Sequence, residues 1–341
     1  MTEGEEIDRQ RLVSVARRFL SREERASLPA GLDALGPGAA PGGLEALEAL
    51  EALVRLGDRP AVPVRGGVPD YEQAAAEGWK GLKIFDGPIR KLTASTGRIE
   101  LRGGHVGTGF VVGPGLILTN RHVLELIGKC YRTSTGSTWI LSAGEPVIAF
   151  GRELDGLKGA VFRVTGVAVA GKDPIGGTMS LTKTDAALLE VEAVSEDGTL
   201  LPPALAIASQ PGEALRTAGK IVVCGYPGPP DLPPRGSLPD AQRAELIAVM
   251  HRIFALRFGV KRLSLGVVTE APGAVVDAGE WVFAHDATTL GGASGAPVAF
   301  LDGDNPLVVG LHFGGETLER NFALGTPALF QPPFASHFNM G

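Results

Sequence analysis

The sequence lacks the features that mark membrane, secreted and nucleic-acid-binding proteins. It has no run of about 18 uncharged apolar residues, and its charged start, residues 1–27, has no apolar signal-peptide core. The chain carries 32 Lys and Arg against 38 Asp and Glu, a formal charge of -6, without a long basic run. We therefore expect no membrane insertion, no secretion signal and no nucleic-acid partner.

Cysteine is also scarce. Cys130 and Cys224 are the only two cysteines, and they lie in unrelated contexts, so they cannot form a disulfide framework. A single bridge stays open, but free thiols of a cytoplasmic protein are the favoured interpretation. The sequence has no H-E-x-x-H, no C-x-x-C and no clustered Asp loop. We therefore expect neither a metal nor another cofactor.

Aromatic residues make up only 6% of the chain, whereas 48 glycines and 25 prolines punctuate it, which favours short strands and many turns. From about Gly97 onward, β-branched or alternating runs follow one another, among them GTGFVVG, KIVVCGYPG and PLVVGLHF. The sequence therefore predicts a mostly β protein, a barrel or a sandwich, with two tandem barrels as one arrangement.

Three segments follow a helical pattern instead. Apolar residues recur at helical spacing over residues 5–28, and strong helix formers fill residues 44–56. A Pro-Asp start and helical apolar spacing predict a further helix over residues 239–256, inserted between strands.

The stretch HDATTLGGASGAPV, residues 285–298, places Ser294 between small residues ahead of an apolar run. A serine nucleophile needs a base, itself oriented by a third group. His122, directly after an apolar strand, is the candidate base, and Asp185, polar before and apolar after, is the candidate acid. Each residue alone is more often structural. The α/β-hydrolase elbow is rejected because Ala296 stands where its second glycine belongs and a strand-like run follows.

Three blocks occur in the order His, Asp, Ser: GTGFVVGPGLILTNRHV, DAALLEV and GGASGAPV. Together they resemble trypsin-like serine peptidases of the bacterial type, close to the glutamyl endopeptidase and HtrA branches, over about residues 97–332. The resemblance implies a chymotrypsin-like fold of two six-stranded antiparallel β-barrels at residues 91–335. Residues 1–90 then form a helical N-terminal appendage.

The resemblance also implies roles for individual residues. His122 and Asp185 would come from the first barrel and Ser294 from the second, with the backbone N–H groups of Gly292 and Ser294 as the oxyanion hole. Ala293 stands where many relatives carry Asn or Asp.

Substrate specificity is addressed by VVGLHFGG, residues 308–315, which resembles the G-I-H-W-G-G strand of glutamyl endopeptidases. This makes His312 a candidate for binding an acidic P1 side chain, with Thr289 as a second polar group; a satisfied buried histidine is the competing interpretation. Because residue 288 is Thr rather than Asp, cleavage after Arg or Lys is disfavoured.

The leading hypothesis is an intracellular bacterial serine endopeptidase that acts on a protein or peptide substrate. The alternative is a catalytically silent trypsin-like module used for binding or sensing. An HtrA-like quality-control protease is disfavoured because no PDZ-like strand set follows residue 332. The N-terminal helices and the inserted helix either restrain the cleft, for which the inserted helix is the better candidate, or serve only as packing elements. We also expect the N-terminal helices to receive a regulatory partner.

Overall fold

The structure, a computed structural model, covers most of the chain from Arg59 onward. It describes residues 59–133, 136–156, 159–176, 179–229, 247, 251, 253–316 and 320–338. Most of its strands form two β-barrels, so the predicted mostly β fold with a pair of six-stranded antiparallel barrels is confirmed.

The first barrel is a closed sheet of six antiparallel strands in the order β10-β5-β4-β3-β8-β9. Its alternating or continuous apolar runs fill the interior with side chains such as Ile99, Ile117 and Phe162. The strands are β3 (Thr96–Leu101), β4 (Gly104–Gly113), β5 (Leu116–Thr119), β8 (Val147–Ala149), β9 (Val161–Ala170) and β10 (Ala187–Val191). Between β5 and β8 the chain adds a separate hairpin of β6 (Gly128–Thr133) and β7 (Gly136–Leu141).

The second barrel follows the order β12-β15-β16-β17-β14-β13 and is closed by pairing of β12 with β13. A short strand, β11 (Ala206–Ile207), adds to β16 in parallel. The barrel strands are β12 (Lys220–Gly225), β13 (Arg262–Glu270), β14 (Val282–His285), β15 (Pro297–Asp302), β16 (Asn305–Glu316) and β17 (Arg320–Gly325).

The described part of the predicted N-terminal appendage contains strands as well as helices. Strand β1 (Ala61–Arg65) pairs with β13 of the second barrel and, through a tight turn, with β2 (Val68–Pro69). Helix α1 (Tyr71–Ala76) begins after Asp70, whose carboxylate accepts a hydrogen bond from Gln73 N at 2.9 Å. The predicted helices at residues 5–28 and 44–56 lie outside the described residues.

Helix α2 (Asp86–Ser95) carries the chain into β3 and packs against β16 of the second barrel. Its apolar side chains Ile89 and Leu92 are fully buried in a core that also contains Leu263 and Val308. The boundary predicted at residue 90 therefore falls inside a helix that is packed on the peptidase fold.

Two further helices and part of a third complete the described chain. Helix α3 (Arg121–Ile127) follows β5, and α4 (Ala335–Phe338) follows the last barrel strand. Of the helix predicted over 239–256, residues 247, 251, 253 and 254 are helical, and the rest lies outside the described residues. Phe254 is fully buried, and its carbonyl accepts a hydrogen bond from Arg262 Nη2 at 2.6 Å.

Buried polar and charged side chains join the two barrels. Lys261, 2% exposed, precedes β13 and donates to the carbonyl of Thr93 at 2.7 Å; its Nζ also lies 3.5 Å from Glu153 Oε1. Tyr226, which follows β12, donates to the carbonyl of Gly151 at 2.9 Å. Because unpaired polar groups are costly inside a protein, these bonds fix how the barrels and α2 meet.

The burial of α2 predicts that it contributes to folding stability. We expect Ile89→Ala to lower the free energy of unfolding by about 2 to 5 kcal/mol, because it empties a packed site. Ile84 lies in the short helical turn Leu82–Phe85 that precedes α2, and its side chain is 83% exposed. Ile84→Ala should therefore change the free energy of unfolding by less than about 0.5 kcal/mol. Urea unfolding of the two variants measures the difference, and equal midpoints would contradict the packing of α2.

Candidate active site

The structure brings His122 and Asp185 together at one edge of the first barrel. His122 Nδ1 lies 2.6 Å from Asp185 Oδ2, and the backbone N–H of His122 donates to Asp185 Oδ1 at 2.9 Å. The carboxylate is 2% exposed, whereas the imidazole is 24% exposed. Both carboxylate oxygens are thus directed to one residue, which fixes the ring's orientation and leaves its Nε2 edge as the side away from the acid.

The two residues that precede His122, Asn120 and Arg121, support this pair, and the sequence alone assigned no role to either. Asn120 Nδ2 donates to the carbonyl of Asp185 at 2.8 Å, inside the protein. Arg121 is buried, donates to the carbonyl of Gly171 and forms a 2.9 Å ion pair with Glu125. The T-N-R-H order was the available signal, but a contact across 65 residues of sequence becomes visible only in the folded chain.

Ser294 lies in the turn between β14 and β15, and the residue is 6% exposed. Two backbone hydrogen bonds between residues three apart form this turn: Ala293 N donates to Leu290 O at 3.0 Å, and Ala296 N donates to Ala293 O at 2.9 Å. Gly295 has φ +86°, and a Cβ atom there would lie 2.1 Å from Thr108 O. The small residues of GGASGA are therefore needed because the turn presses against β4.

The turn that carries Ser294 and helix α3, which carries His122, both contact strand β4. Thr108 N donates to Ser294 O at 2.8 Å, so the first barrel holds the backbone of the serine directly. A Cβ atom on Gly107 would lie 2.7 Å from Val123 Cγ2 and 3.3 Å from Ser294 O. Ser294 and Val123, the residue after His122, thus both lie against Gly107 of the first barrel.

Gly292 occupies the other end of this turn with φ +87°, a conformation that other residues rarely adopt. Its carbonyl accepts a hydrogen bond from Thr108 Oγ1 at 2.8 Å, and that hydroxyl in turn accepts one from Tyr226 N at 3.2 Å. The orientation of the peptide group after Gly292 is therefore fixed by the first barrel and by the residue after β12.

His312 and Thr289, the predicted P1-binding residues, lie in the second barrel and are buried. Thr289 Oγ1 donates to Asn321 Oδ1 at 2.9 Å, and His312 Nδ1 lies 3.3 Å from His285 Nε2. Burial first, and His285 second, holds the pKa of His312 well below its ordinary value. Both histidines are thus neutral near pH 7, since burial also lowers the pKa of His285 to about 3.

The backbone of His312 also forms hydrogen bonds with the turn that carries Ser294. Its carbonyl accepts a hydrogen bond from Gly295 N at 2.9 Å, and its N–H donates to Ala296 O at 2.9 Å. Thr288, by contrast, donates its hydroxyl to the carbonyl of Arg59 at 2.6 Å and is therefore engaged with the N-terminal segment.

The described residues hold no group of three or more His, Cys, Asp or Glu side chains arranged to bind a metal ion. None of the helices in the described ranges is long and apolar enough to cross a membrane. Two antiparallel barrels, with an imidazole–carboxylate pair on one and a glycine-flanked serine on the other, define the architecture of a two-barrel serine peptidase.

Comparison with known proteins agrees with this architecture. The family model of the trypsin-like peptidase domain matches residues 107–311, a stretch that contains His122, Asp185 and Ser294. A probable serine protease from Lysobacter enzymogenes is 33% identical over 294 residues, which cover 82% of this chain and 73% of the relative. The chain belongs to the trypsin-like peptidase family, and it is a serine endopeptidase.

Two solved structures of one mycobacterial protease are also similar. The inactive form of the Rv3671c protease shares 21% identity with a TM-score of 0.37, over 71% of this chain and 89% of that chain. A serine-to-alanine mutant of Rv3671c from M. tuberculosis H37Rv, also in an inactive form, shares 20% identity with a TM-score of 0.35. That match covers 71% of this chain and 86% of the mutant.

The close contact of the turn with β4 predicts unequal effects at its glycines. Gly295→Ala should lower the free energy of unfolding by more than about 2 kcal/mol, because the methyl group overlaps backbone and the φ angle is left-handed. Gly291→Ala is the matched control, since a Cβ atom there meets nothing within 4 Å. Thermal or urea unfolding measures both variants, and a Gly295→Ala protein as stable as Gly291→Ala would show that the turn is looser than described.

Proposed function

We propose that the protein hydrolyses peptide bonds through a catalytic triad of His122, Asp185 and Ser294. The observation that carries the proposal is the pair of hydrogen bonds from His122 to Asp185, 2.6 Å at Nδ1 and 2.9 Å at the backbone N–H. A buried carboxylate bound in this way selects the tautomer with a proton on Nδ1, so that Nε2 is the nitrogen that accepts a proton.

In the first half of the reaction, Ser294 Oγ attacks the carbonyl carbon of the scissile bond and passes its proton to His122 Nε2. The tetrahedral intermediate collapses when the C–N bond breaks and His122 donates that proton to the leaving amine. An acyl group remains on Ser294. Asp185 stays ionised throughout and stabilises the imidazolium that forms.

In the second half, a water molecule takes the place of the amine. His122 removes a proton from the water as its oxygen attacks the acyl carbon, and the proton returns to Ser294 Oγ when the ester bond breaks. The products are a carboxylic acid and the free enzyme.

We propose the backbone N–H groups of Gly292 and Ser294 as the oxyanion hole. The positive φ of Gly292 and the bond from Thr108 Oγ1 to its carbonyl support this assignment, because they hold the turn in one conformation. Preorganised donors need no reorientation during the reaction, and one such donor lowers the activation barrier by ~3 kcal/mol.

A catalytically silent binding or sensor module is the competing function. Such a module has no need to direct both oxygens of a buried carboxylate at one histidine. We therefore favour the enzyme over the silent module.

Substitutions within the triad test the proposal. Ser294→Ala should abolish hydrolysis and labelling by a fluorophosphonate probe, and Asp185→Asn should lower kcat by ~10⁴ because His122 takes the wrong tautomer. Asp302→Asn, which changes an exposed carboxylate of the second barrel, is the control and should leave kcat within about twofold. A wild-type protein that the probe never labels would contradict the enzyme, and near-wild-type rates for Asp185→Asn would show that the acid is misassigned.

We further propose a preference for an acidic P1 side chain, with His312 as its binding partner and Thr289 beside it. The buried contact between His285 Nε2 and His312 Nδ1 at 3.3 Å supports this proposal, since a second imidazole can share the proton that a bound carboxylate attracts. Both imidazoles are neutral without substrate, so binding of a P1 carboxylate would be accompanied by proton uptake.

This proton uptake gives the preference a pH dependence. The ratio of kcat/KM for a Glu substrate over the matching Gln substrate should rise as the pH falls from about 8 to about 6, because protonated His312 pairs with the carboxylate. His312→Ala should remove that rise, whereas His337→Ala, at an exposed histidine, should keep it. A peptide library cut mainly after Arg or Lys would contradict the preference.

We also propose a bacterial, cytoplasmic enzyme whose activity responds to a regulatory partner that binds the helices predicted before residue 59. Two free thiols, exposed Cys130 and buried Cys224, support the location. The regulatory proposal is supported by Arg59, whose side chain pairs with Asp286 at 2.7 Å and whose carbonyl accepts the Thr288 hydroxyl. A change in the chain before residue 59 has a direct route to the loop that leads to Ser294.

A further inference from the structure

His105 on β4 lies directly behind the proposed oxyanion hole. A Cβ atom built on Gly292 would stand 2.4 Å from His105 Cε1 and 3.1 Å from His105 Nδ1. Cβ atoms built on Gly228 or Gly259 would each stand 3.8 Å from the same Nδ1. The imidazole therefore fills a niche walled by three glycines, and Gly292 makes the closest contact with it.

The ring fills this niche mainly by its shape. Its Nε2 is buried and has no hydrogen-bond partner, and its plane meets the Tyr226 ring edge-on with centroids 6.4 Å apart. Burial first, and Arg98 second, lowers the pKa of His105 to about 4, so the ring is neutral near pH 7. Hydrogen bonds to the backbone of Gly107 and Gly292 partly oppose this lowering, so the ring meets Gly292 through a polar contact as well as through van der Waals packing.

The remaining sides of Gly292 are also occupied. Its carbonyl is held by Thr108 Oγ1 at 2.8 Å, and a Cβ atom at Gly292 would approach Tyr226 O to 3.0 Å. His105 closes the side that these two contacts leave open. The peptide group of residues 291–292 is also held by Gly228, whose N–H donates to Gly291 O at 2.5 Å, and the His105 ring packs against Gly292 beside that bond.

We infer that His105 is a positioning residue for the oxyanion hole: its ring packs against Gly292 and holds that residue in the conformation that directs its N–H toward the scissile carbonyl. The inference rests on the proposed function, because it assigns Gly292 as an oxyanion donor. His105 itself touches neither the substrate nor the triad in this scheme. It acts from the first barrel on a donor carried by the second.

The test compares His105→Ala with Val106→Ala, which truncates the next residue of β4 against the first-barrel core. Active sites are first counted with a fluorophosphonate probe, and kcat and KM are then measured on a peptide ester. We expect His105→Ala to lower kcat about 10- to 100-fold with KM unchanged, because a misdirected donor is lost only in the transition state. Val106→Ala should keep kcat within about threefold of wild type.

A peptide aldehyde separates positioning from general damage. Its hemiacetal oxygen occupies the oxyanion hole, so its Ki should rise in His105→Ala by the same factor as kcat/KM falls. The Ki of the corresponding product acid should not change. A kcat equal to that of Val106→Ala, or an aldehyde Ki that stays at the wild-type value, would overturn the inference.

Two further variants keep the test decisive. If His105→Ala does not fold, His105→Gln retains most of the side-chain volume and takes its place in the same comparison. Gly292→Ala should lower kcat strongly. The double variant Gly292→Ala, His105→Ala should lower kcat by less than the product of the two single factors, because the clash at 2.4 Å is then absent. If the two substitutions instead lower kcat by independent factors that multiply, the contact between His105 and Gly292 is overturned. A wild type that is neither labelled nor active overturns the proposed function, whereas an active wild type with unaffected His105 variants overturns this inference alone.

Discussion

The site depends on one residue of the first barrel, Thr108, which binds the nucleophile turn of the second barrel at two points. Its N–H donates to Ser294 O and its hydroxyl donates to Gly292 O, both at 2.8 Å. Thr119 Oγ1 in turn donates to Thr108 O at 2.7 Å, so the threonine is held from its own barrel as well. Since His122 and Asp185 belong to that barrel, the position of Ser294 relative to this pair is set by hydrogen bonds between the two barrels. Any movement between the barrels must first break them.

Charged contacts around Glu100 restrict the same movement. Burial alone would raise the pKa of Glu100, yet hydrogen bonds from Arg152 and Arg98 hold it below its ordinary value. Arg98 also donates to the carbonyl of Gly259 at 2.8 Å, and Gly259 precedes β13. Removing one partner of such a group would leave an uncompensated charge in a dry interface, so these contacts favour one docked arrangement over others.

The sequence alone was sufficient for the barrels and for the residues that the motifs contain. Strand patterns from Gly97 onward predicted the mostly β fold, and the block order led to His122 and Asp185, which the structure brings together. Local patterns could not reveal that AVPVR, residues 61–65, forms β1, because a five-residue run containing proline pairs with a strand about 200 residues later. His105 was equally invisible, since its importance comes from three glycines that are distant in sequence.

The second barrel carries a cost that its core does not explain. His285 and His312 sit among apolar side chains, and His285 Nδ1 is buried without a hydrogen-bond partner. Burying such a group is unfavourable by about 1 to 3 kcal/mol, whereas a leucine or phenylalanine in the same place would add to the core. A pair of imidazoles in contact, one of them on the strand whose backbone holds Gly295, is therefore better explained by the site than by the fold. Near neutral pH the pair can accept a proton only beside a negative charge, so under the proposed preference for an acidic P1 side chain, substrate binding would act on the strand whose backbone holds Gly295.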